Sequence, residues 1–319
     1  MPKTQGADYG KNATGRAAFA QHGLPAQGLV QRPLSGIDNR AMTSPFVTTD
    51  WLAAHLHDPD VVIVDGSWHL PAANRDARGE YLAGHIPGAV FFGIDEIADR
   101  NTDLPHMLPL PEQFGAQVGA LGISDTDTIV VYDEAGLFSA PRVWWSLRVM
   151  GANDVRILEG GGPKWRAEGR PLQTGDTRRK PQPFNAVYEA RMVANLMQVR
   201  QYAETGNRTI VDARPAPRFR GEAPEPRPGL KSGHIPGSLS VPSGDLVRDG
   251  ALKPADELRA LFAAAGVDLA RPIVTSCGSG VTAAALALAL ETAGAGSVAV
   301  YDGSWAEWGG RDDTPIETS

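Results

Sequence analysis

The sequence predicts an α/β protein made of two tandem copies of one unit, each a mainly parallel sheet flanked by helices. Three observations support this fold class. Short segments of the first half recur in the second half, Val/Ile runs alternate with helical patterns, and 319 residues, at roughly 150 per domain, is the length of two domains. An apolar content of 42% is enough for a sizeable core.

Four segments of the first half recur in the same order, with spacings that drift by only a few residues. The pairs are Val62–Asp65 with Thr209–Asp212, Gly84–Gly88 with Gly233–Gly237, Thr128–Asp133 with Pro272–Cys277, and Leu158–Gly160 with Tyr301–Gly303. A small drift indicates a duplication with loop insertions.

The repeat sets the domain boundaries. We predict domains over residues 42–170 and 184–319, joined by a polar, Pro-bounded linker over 171–183. Residues 1–41 are predicted to be a disordered N-terminal extension: a leader, a transit-like segment, or sequence upstream of a start at Met42.

Val/Ile runs predict the strands, and longer apolar patterns predict two of the helices that follow them. Runs typical of buried parallel strands cover residues 61–64, 128–132, 209–211, 272–276 and 297–301. Helices are predicted over Pro141–Met150 and Val281–Thr292.

Charge and cysteine content exclude several classes of protein. A net charge of −7 without a long basic run argues against nucleic acid or an anionic membrane surface as the partner. The longest apolar run, Val281–Leu290, is too short to span a bilayer. The single cysteine, Cys277, forms no internal disulfide and no Cys-rich metal site, which predicts a cytoplasmic protein. A transit function for residues 1–41 would make it mitochondrial.

Cys277 follows a predicted strand and begins a loop of small residues, Cys277–Thr282, that leads into a helix. Open α/β sheets bind ligands at this edge, and glycines let successive backbone N–H groups turn inward to form an anion-binding nest. Since a free cysteine has a pKa of about 8.5, we expect such donors to stabilise the reactive thiolate. The less specific interpretation is a small buried cysteine in a tight turn.

Two other functions use similar loops, and both are disfavoured. Gly278–Ala283 is a G-x-G-x-x-A string with Asp302 after the next strand, as in dinucleotide-binding folds. The first copy, however, carries Asp133–Gly136 there, without a phosphate-binding glycine pattern. A cysteine phosphatase needs an arginine at the end of the loop to grip phosphate, and this loop ends in Thr282.

Two signatures and the cysteine loop resemble those of a known family, the tandem rhodanese-domain sulfurtransferases. Tyr81–Ala89 and Val298–Trp308 look like its two signatures, and Cys277–Ala283 looks like its active loop. The loop is similar to that of the 3-mercaptopyruvate branch, because the thiosulfate enzymes carry Arg and Lys directly after the cysteine. The match runs from about Phe46 to Trp308.

The resemblance implies two rhodanese-like domains and a transferase that works through a cysteine persulfide. The Cys277 thiolate would take the sulfur of 3-mercaptopyruvate, releasing pyruvate, and a thiol acceptor such as thioredoxin, or cyanide, would take the outer sulfur. No metal or organic cofactor is needed. The expected partners are a small-molecule donor and a thiol acceptor, with no nucleic acid and no membrane. Asp133 stands at the position of Cys277 in the first copy. A carboxylate forms no persulfide, so the first domain is predicted to be non-catalytic.

Carried over residue by residue, the resemblance implies a substrate-binding set. Arg218 and Arg227 match a clamp for the substrate carboxylate, with Arg220 as the second choice. Without the resemblance, they are more simply solvated charges in a Pro/Glu-rich loop. The loop residues expected to bind substrate are Gly278, Gly280, Val281 and Thr282.

The resemblance also implies a proton relay of Ser279, His106 and Asp95 that serves the leaving enolate or the incoming thiol. On the residues alone, Ser279 is a small loop residue, His106 a loop histidine and Asp95 a helix cap. The relay residues come from both copies, which predicts a site in the cleft between the domains.

Two other activities stay open at this point. One is a thiosulfate sulfurtransferase; the Gly278–Ser279 pair argues against it, because a dianionic donor is better matched by cations in the loop. The other is a non-catalytic carrier that only holds a persulfide.

Overall fold

The computed structural model describes residues 44–318, so the predicted extension over residues 1–41 lies outside the described residues. The first copy contains, in order, β1 (Phe46–Val47), α1 (Thr49–Ala54), β2 (Val61–Asp65), α2 (Ala77–Ala83), β3 (Val90–Phe91), α3 (Pro111–Ala120), β4 (Thr128–Tyr132), α4 (Ala140–Val149), β5 (Asp154–Leu158) and α5 (Gly161–Ala167). The second contains β6 (Val193–Ala194), α6 (Leu196–Thr205), β7 (Thr209–Asp212), α7 (Ala216–Phe219), β8 (Leu239–Ser240), β9 (Val247–Arg248), β10 (Ala251–Leu252), α8 (Ala255–Ala264), β11 (Ile273–Ser276), α9 (Val281–Ala293), β12 (Val298–Tyr301) and α10 (Ser304–Trp308).

Each copy forms one five-stranded sheet in which every neighbouring pair is parallel. The strand order is β1-β5-β4-β2-β3 in the first copy and β6-β12-β11-β7-β8 in the second, which is the same topology with the elements renumbered. The second copy adds the antiparallel pair β9–β10 ahead of α8. The predicted duplication and fold class are confirmed.

The predicted strands are confirmed as β2, β4, β7, β11 and β12, with ends that differ by no more than one residue. β2 is buried along its whole length, as expected for a strand covered on both faces. The two predicted helices are confirmed as α4 and α9.

Helix α9 joins the two copies. It is an Ala/Leu helix in which nearly every residue is buried, and it packs against α8 of its own copy and α4 of the first copy. A helix that is apolar all round must be covered on all sides. The core on this side is therefore continuous between the two copies. Among the described residues, no helix has the length and apolar content needed to cross a membrane.

The histidines of the two repeated Gly-His-Ile-Pro-Gly segments have the same role in both copies. The His85 ring stacks on Tyr81, and its Nδ1 lies 2.8 Å from the Tyr81 carbonyl oxygen. The His234 ring stacks on Phe219 in the same way, with its Nδ1 2.8 Å from that carbonyl. Both rings therefore tie a turn to nearby backbone.

Candidate active site

Cys277 lies where β11 ends and the loop into α9 begins. Its side chain is buried, and the backbone N–H of Gly280 donates to its Sγ at 3.1 Å. The N–H of Cys277 donates to Ser304 Oγ at 3.1 Å, and its carbonyl accepts the N–H of Trp305 at 2.9 Å. The loop is thus held at its helix end by Gly280 and from the side by the start of α10.

Gly280 occupies a position that only glycine fits. Its φ is +81°, in the left-handed region, and it caps the start of α9. A Cβ added there would lie 2.6 Å from Nη1 of Arg142 and 2.9 Å from the carbonyl oxygen of Asp302. The neighbouring substrate-binding candidates Val281 and Thr282 form the first turn of the helix.

The corresponding loop of the first copy, which is longer (residues 133–139 against 277–280), binds a carboxylate. Asp133, at the position of Cys277, is buried, and its carboxylate accepts five backbone N–H groups at 2.7–3.1 Å. The donors are Ala135, Leu137, Phe138, Ser139 and Ala140. The loop between strand and helix is therefore an anion nest, occupied in this copy by the protein's own carboxylate.

Asp95 and His106 form a pair. Asp95 Oδ1 lies 2.7 Å from His106 Nδ1, and Trp68 Nε1 donates to Asp95 Oδ2 at 2.8 Å. The hydrogen bond to His106 is the largest cause of a lowered pKa of Asp95, and Trp68 and the charge of Arg227 lower it further. The His106 ring is buried and meets the Trp68 ring edge-on at 4.9 Å. The carboxylate is thus kept ionised beside the imidazole.

Ser279 is buried in the cysteine loop, but within residues 44–318 no hydrogen bond joins it to His106. Nε2 of His106 lies instead 3.4 Å from a terminal nitrogen of Arg227. Two members of the predicted relay are therefore in contact, and the third lies in the loop beside the cysteine.

Arg218 lies against the loop. A Cβ on Gly278 would be 3.3 Å from its Nη2. Its Nε donates to Glu225 Oε1 at 3.1 Å, and its Nη2 donates to Glu225 Oε2. Together with the contact between Arg227 and His106, this puts one predicted clamp arginine at Gly278 and the other at His106. Arg220, the second choice, is forked onto Glu222 by two hydrogen bonds of 2.7 Å and is exposed.

Two buried charged residues of this region were missed from the sequence. Arg214 donates to Asp212 through Nε and Nη2 and to Glu225 Oε1 through Nη1 at 2.7 Å, and its guanidinium lies 4.1 Å above the Trp305 ring. Glu225 is thereby shared between Arg214 and Arg218. The available signal was a glutamate among arginines in a segment rich in proline, where a solvated loop was the simpler interpretation.

A third missed residue, Arg142, comes from the first copy. It lies within the match from Phe46 to Trp308, but no role was assigned to it from the sequence. The side chain is buried and ion-paired with Asp302 of the second copy at 2.7 Å. A partner so distant in sequence leaves no local pattern.

A family model described as a rhodanese-like domain matches residues 48–168 and 196–311. The 3-mercaptopyruvate sulfurtransferase of Escherichia coli K12 is 47% identical over 276 residues, covering 86% of this chain and 98% of the relative. The thiosulfate sulfurtransferase of Mus musculus is 42% identical over 280 residues, covering 85% and 93%.

Among solved structures, SseA from Escherichia coli, described as having the rhodanese fold of 3-mercaptopyruvate sulfotransferases, superimposes with a TM-score of 0.77. It is 45% identical and covers 82% of this chain and 99% of its own. Since the family model matches both copies and the relatives align over nearly their whole length, this chain belongs to the tandem rhodanese-domain sulfurtransferases.

Proposed function

We propose that this protein transfers the sulfur of 3-mercaptopyruvate, through a persulfide on Cys277, to a thiol acceptor and releases pyruvate. The observation that carries the proposal is the cysteine loop. It presents the only thiol of the chain with a backbone N–H donated to its sulfur, and Arg218 lies beside Gly278 although the loop itself carries no cationic side chain. The relatives named 3-mercaptopyruvate sulfurtransferases support the choice of donor.

In the proposed reaction, the Cys277 thiolate bonds to the sulfur of the donor while the carbon–sulfur bond of the donor breaks. The electron pair of that bond leaves with the pyruvate enolate, which takes a proton at carbon to give pyruvate. An acceptor thiolate then bonds to the outer sulfur, and Cys277 departs as the thiolate. No metal or organic cofactor takes part in these steps.

The outer sulfur of the persulfide needs hydrogen-bond donors like the backbone N–H groups that bind the Asp133 carboxylate in the first copy. We assign this role to the substrate-binding part of the loop, formed by Gly278, Gly280, Val281 and Thr282. Backbone N–H groups suit it, because their positive ends are already oriented and need no reorganisation when charge arrives on sulfur.

We assign Arg218 and Arg227 to the donor's carboxylate. Glu225 already takes two nitrogens of Arg218, which aligns the guanidinium and leaves the remaining edge for substrate. Asp95 and His106 would move a proton for the enolate or the acceptor, with Ser279 in the loop as the third member. The lowered pKa of Asp95 supports this role, because an ionised carboxylate orients the imidazole.

We propose that the first domain, over residues 42–170, is non-catalytic, and that a linker over 171–183 joins it to a catalytic domain over 184–319. Asp133 supports this division, since its carboxylate fills the nest in which a nucleophile would lie. A cytoplasmic location and a thioredoxin-like acceptor complete the proposal; one thiol in a chain of this length suits a reducing compartment.

Comparing kcat/KM for the two donors tests the function. We expect mercaptopyruvate to be preferred over thiosulfate by at least about tenfold, because a neutral glycine–serine loop matches a monoanion better than a dianion. Cys277→Ser should release no pyruvate and gain no mass of one sulfur atom. Preference for thiosulfate would favour the rhodanese activity, which the Mus musculus relative carries. Release of only one equivalent of pyruvate with excess thiol would indicate a carrier.

A second arm tests the clamp. Arg218→Ala and Arg227→Ala should raise KM for mercaptopyruvate more than KM for thiosulfate, because only the first donor carries a carboxylate. Arg220→Ala is the matched control, since its fork is engaged by Glu222 on the exposed surface. Equal changes for both donors would remove the clamp assignment.

A further inference from the structure

Arg142 belongs to the first copy but is buried at the cysteine loop of the second. It is the third residue of α4, and its guanidinium pairs with Asp302 Oδ1 at 2.7 Å. Nη1 donates to the Gly280 carbonyl at 3.4 Å, and Nη2 donates to the His106 carbonyl. One side chain therefore touches the cysteine loop and the histidine loop together.

Asp302 adds a second contact between this ion pair and the histidine loop. Its second oxygen, Oδ2, accepts the backbone N–H of Leu108 at 2.8 Å, two residues beyond His106. The Arg142–Asp302 pair thus grips the histidine loop at a carbonyl and at an N–H. His106 has a φ of +62°, a conformation that residues with a Cβ adopt only when the surroundings hold them there.

The other end of the pair holds Gly280. The N–H of this residue donates to Cys277 Sγ, and its carbonyl accepts from Arg142. Gly280 is thus tied to the sulfur through its N–H and to Arg142 through its carbonyl, with a left-handed backbone between the two contacts. One guanidinium therefore links the residue that donates to the sulfur with the loop that carries His106.

The repeat argues that the fold does not require this arginine. The buried residues of α9, the equivalent helix, are all apolar, so this helix packs without an arginine. Burying a guanidinium and a carboxylate is costly, and an apolar pair in their place is often neutral or stabilising. The charges are therefore better explained by the loops that they bind.

We propose that Arg142, held by Asp302, is a positioning residue of the sulfur-transfer site: it aligns the sulfur-binding Gly280 N–H with the histidine that serves the reaction. This inference rests on the proposed function.

The alternative is that Arg142 only fastens the two copies together, and the same helix supplies a control. Arg148 lies in the last turn of α4, pairs with Glu291 of α9 at 2.9 Å, and stacks on Trp144 as Arg142 stacks on Trp145. It also bridges the copies, but it contacts neither loop.

The test compares Arg142→Gln, Arg142→Lys and Arg148→Gln by kcat, KM, Tm and the ultraviolet absorbance of the thiolate at neutral pH. Because the chain has one cysteine, that absorbance reports Cys277 alone. We expect Arg142→Gln to lower kcat by at least about tenfold with KM nearly unchanged, since misplacing reacting groups slows the reaction without weakening binding. Its thiolate signal should fall as well. Arg142→Lys keeps the charge but loses the fork, and should lie between Arg142→Gln and wild type.

Arg148→Gln should stay within about twofold of wild type in kcat and thiolate signal, as expected for a partly exposed ion pair. Arg142 variants that fold and match Arg148→Gln in both readouts would overturn the proposal. If Arg142→Gln does not fold, Arg142→Lys decides between the same outcomes. If wild type releases no pyruvate, the proposed function fails, while the thiolate signal, which needs no donor, still tests the positioning.

Discussion

Two equivalent aspartates of the two copies lie in different electrostatic surroundings. Asp65 and Asp212 end β2 and β7 at the same position of the repeat, and both are buried. Asp212 is paired with Arg214, two residues later, whereas Asp65 has Ser67 there. Burial is the largest cause that raises the pKa of Asp65, to about 6, and hydrogen bonds from Ser67 offset only part of it. Asp212 therefore has a cationic partner two residues away, whereas Asp65 has none there and burial favours its neutral form.

This contrast predicts opposite effects of one substitution. When a carboxyl group has a higher pKa in the folded protein than its unfolded value of about 3.9, the free energy of unfolding falls as the pH rises between the two values, here from roughly 4 to 6. Asp65→Asn should remove that loss and stabilise the protein at pH 7 by up to about 3 kcal/mol, with no gain near pH 4. Asp212→Asn should destabilise it by about 3 kcal/mol, because Arg214 loses its buried partner.

Urea unfolding of both variants at several pH values gives these free energies. Asp65→Asn less stable than wild type at pH 7, or a difference that does not change with pH, would contradict the first expectation.

At the scale of elements, the two ends of α9 are left-handed glycines in different surroundings. Gly280 begins the helix and faces Arg142 and Asp302, while Gly294 ends it with a φ of +106° and open space around its Cα. The sequence shows a glycine at each end of the helix. Only the packing shows that Gly294 simply ends the helix, whereas Gly280 is part of the candidate site.

Substituting each glycine by alanine tests this difference in role. Gly294→Ala should cost about 1 kcal/mol of unfolding free energy from backbone strain alone, and leave pyruvate release unchanged. Gly280→Ala should cost about 3 kcal/mol, because the new Cβ also collides with buried neighbours, and should lower kcat at least about tenfold. Equal losses of activity in the two variants would show that the helix as a whole, not Gly280, carries the effect.

At the level of the whole molecule, the shared hydrophobic core determines whether the two copies unfold together or separately. Apolar residues of α4 and α9 belong to one cluster that continues through both copies, although each copy also has a smaller cluster of its own. Exposing the all-apolar face of α9 would be costly, so neither copy is expected to open alone.

We therefore expect residues 44–318 to unfold in one cooperative transition. Tryptophan fluorescence and far-ultraviolet circular dichroism should give the same urea midpoint, and amides of β4 and β11 should exchange hydrogen with similar protection. Two midpoints, or much weaker protection in one of these strands, would mean that the copies unfold independently.

Local patterns were enough to predict the duplication, the α/β class, the position of Cys277 after a strand, and five of the ten strands that form the two five-stranded sheets of residues 44–318. The two-residue strands β1, β3, β6 and β8 are too short to leave such a pattern. The folded chain was needed to find that Glu225 joins Arg214 to Arg218, that His106 meets Arg227, and that Arg142 reaches the other copy's loop. Arg142 meets its partners because α4 packs on α9, and the other two contacts form where loops fold against each other. Neither kind of contact leaves a periodic pattern along the chain, so buried charges cannot be paired from the sequence.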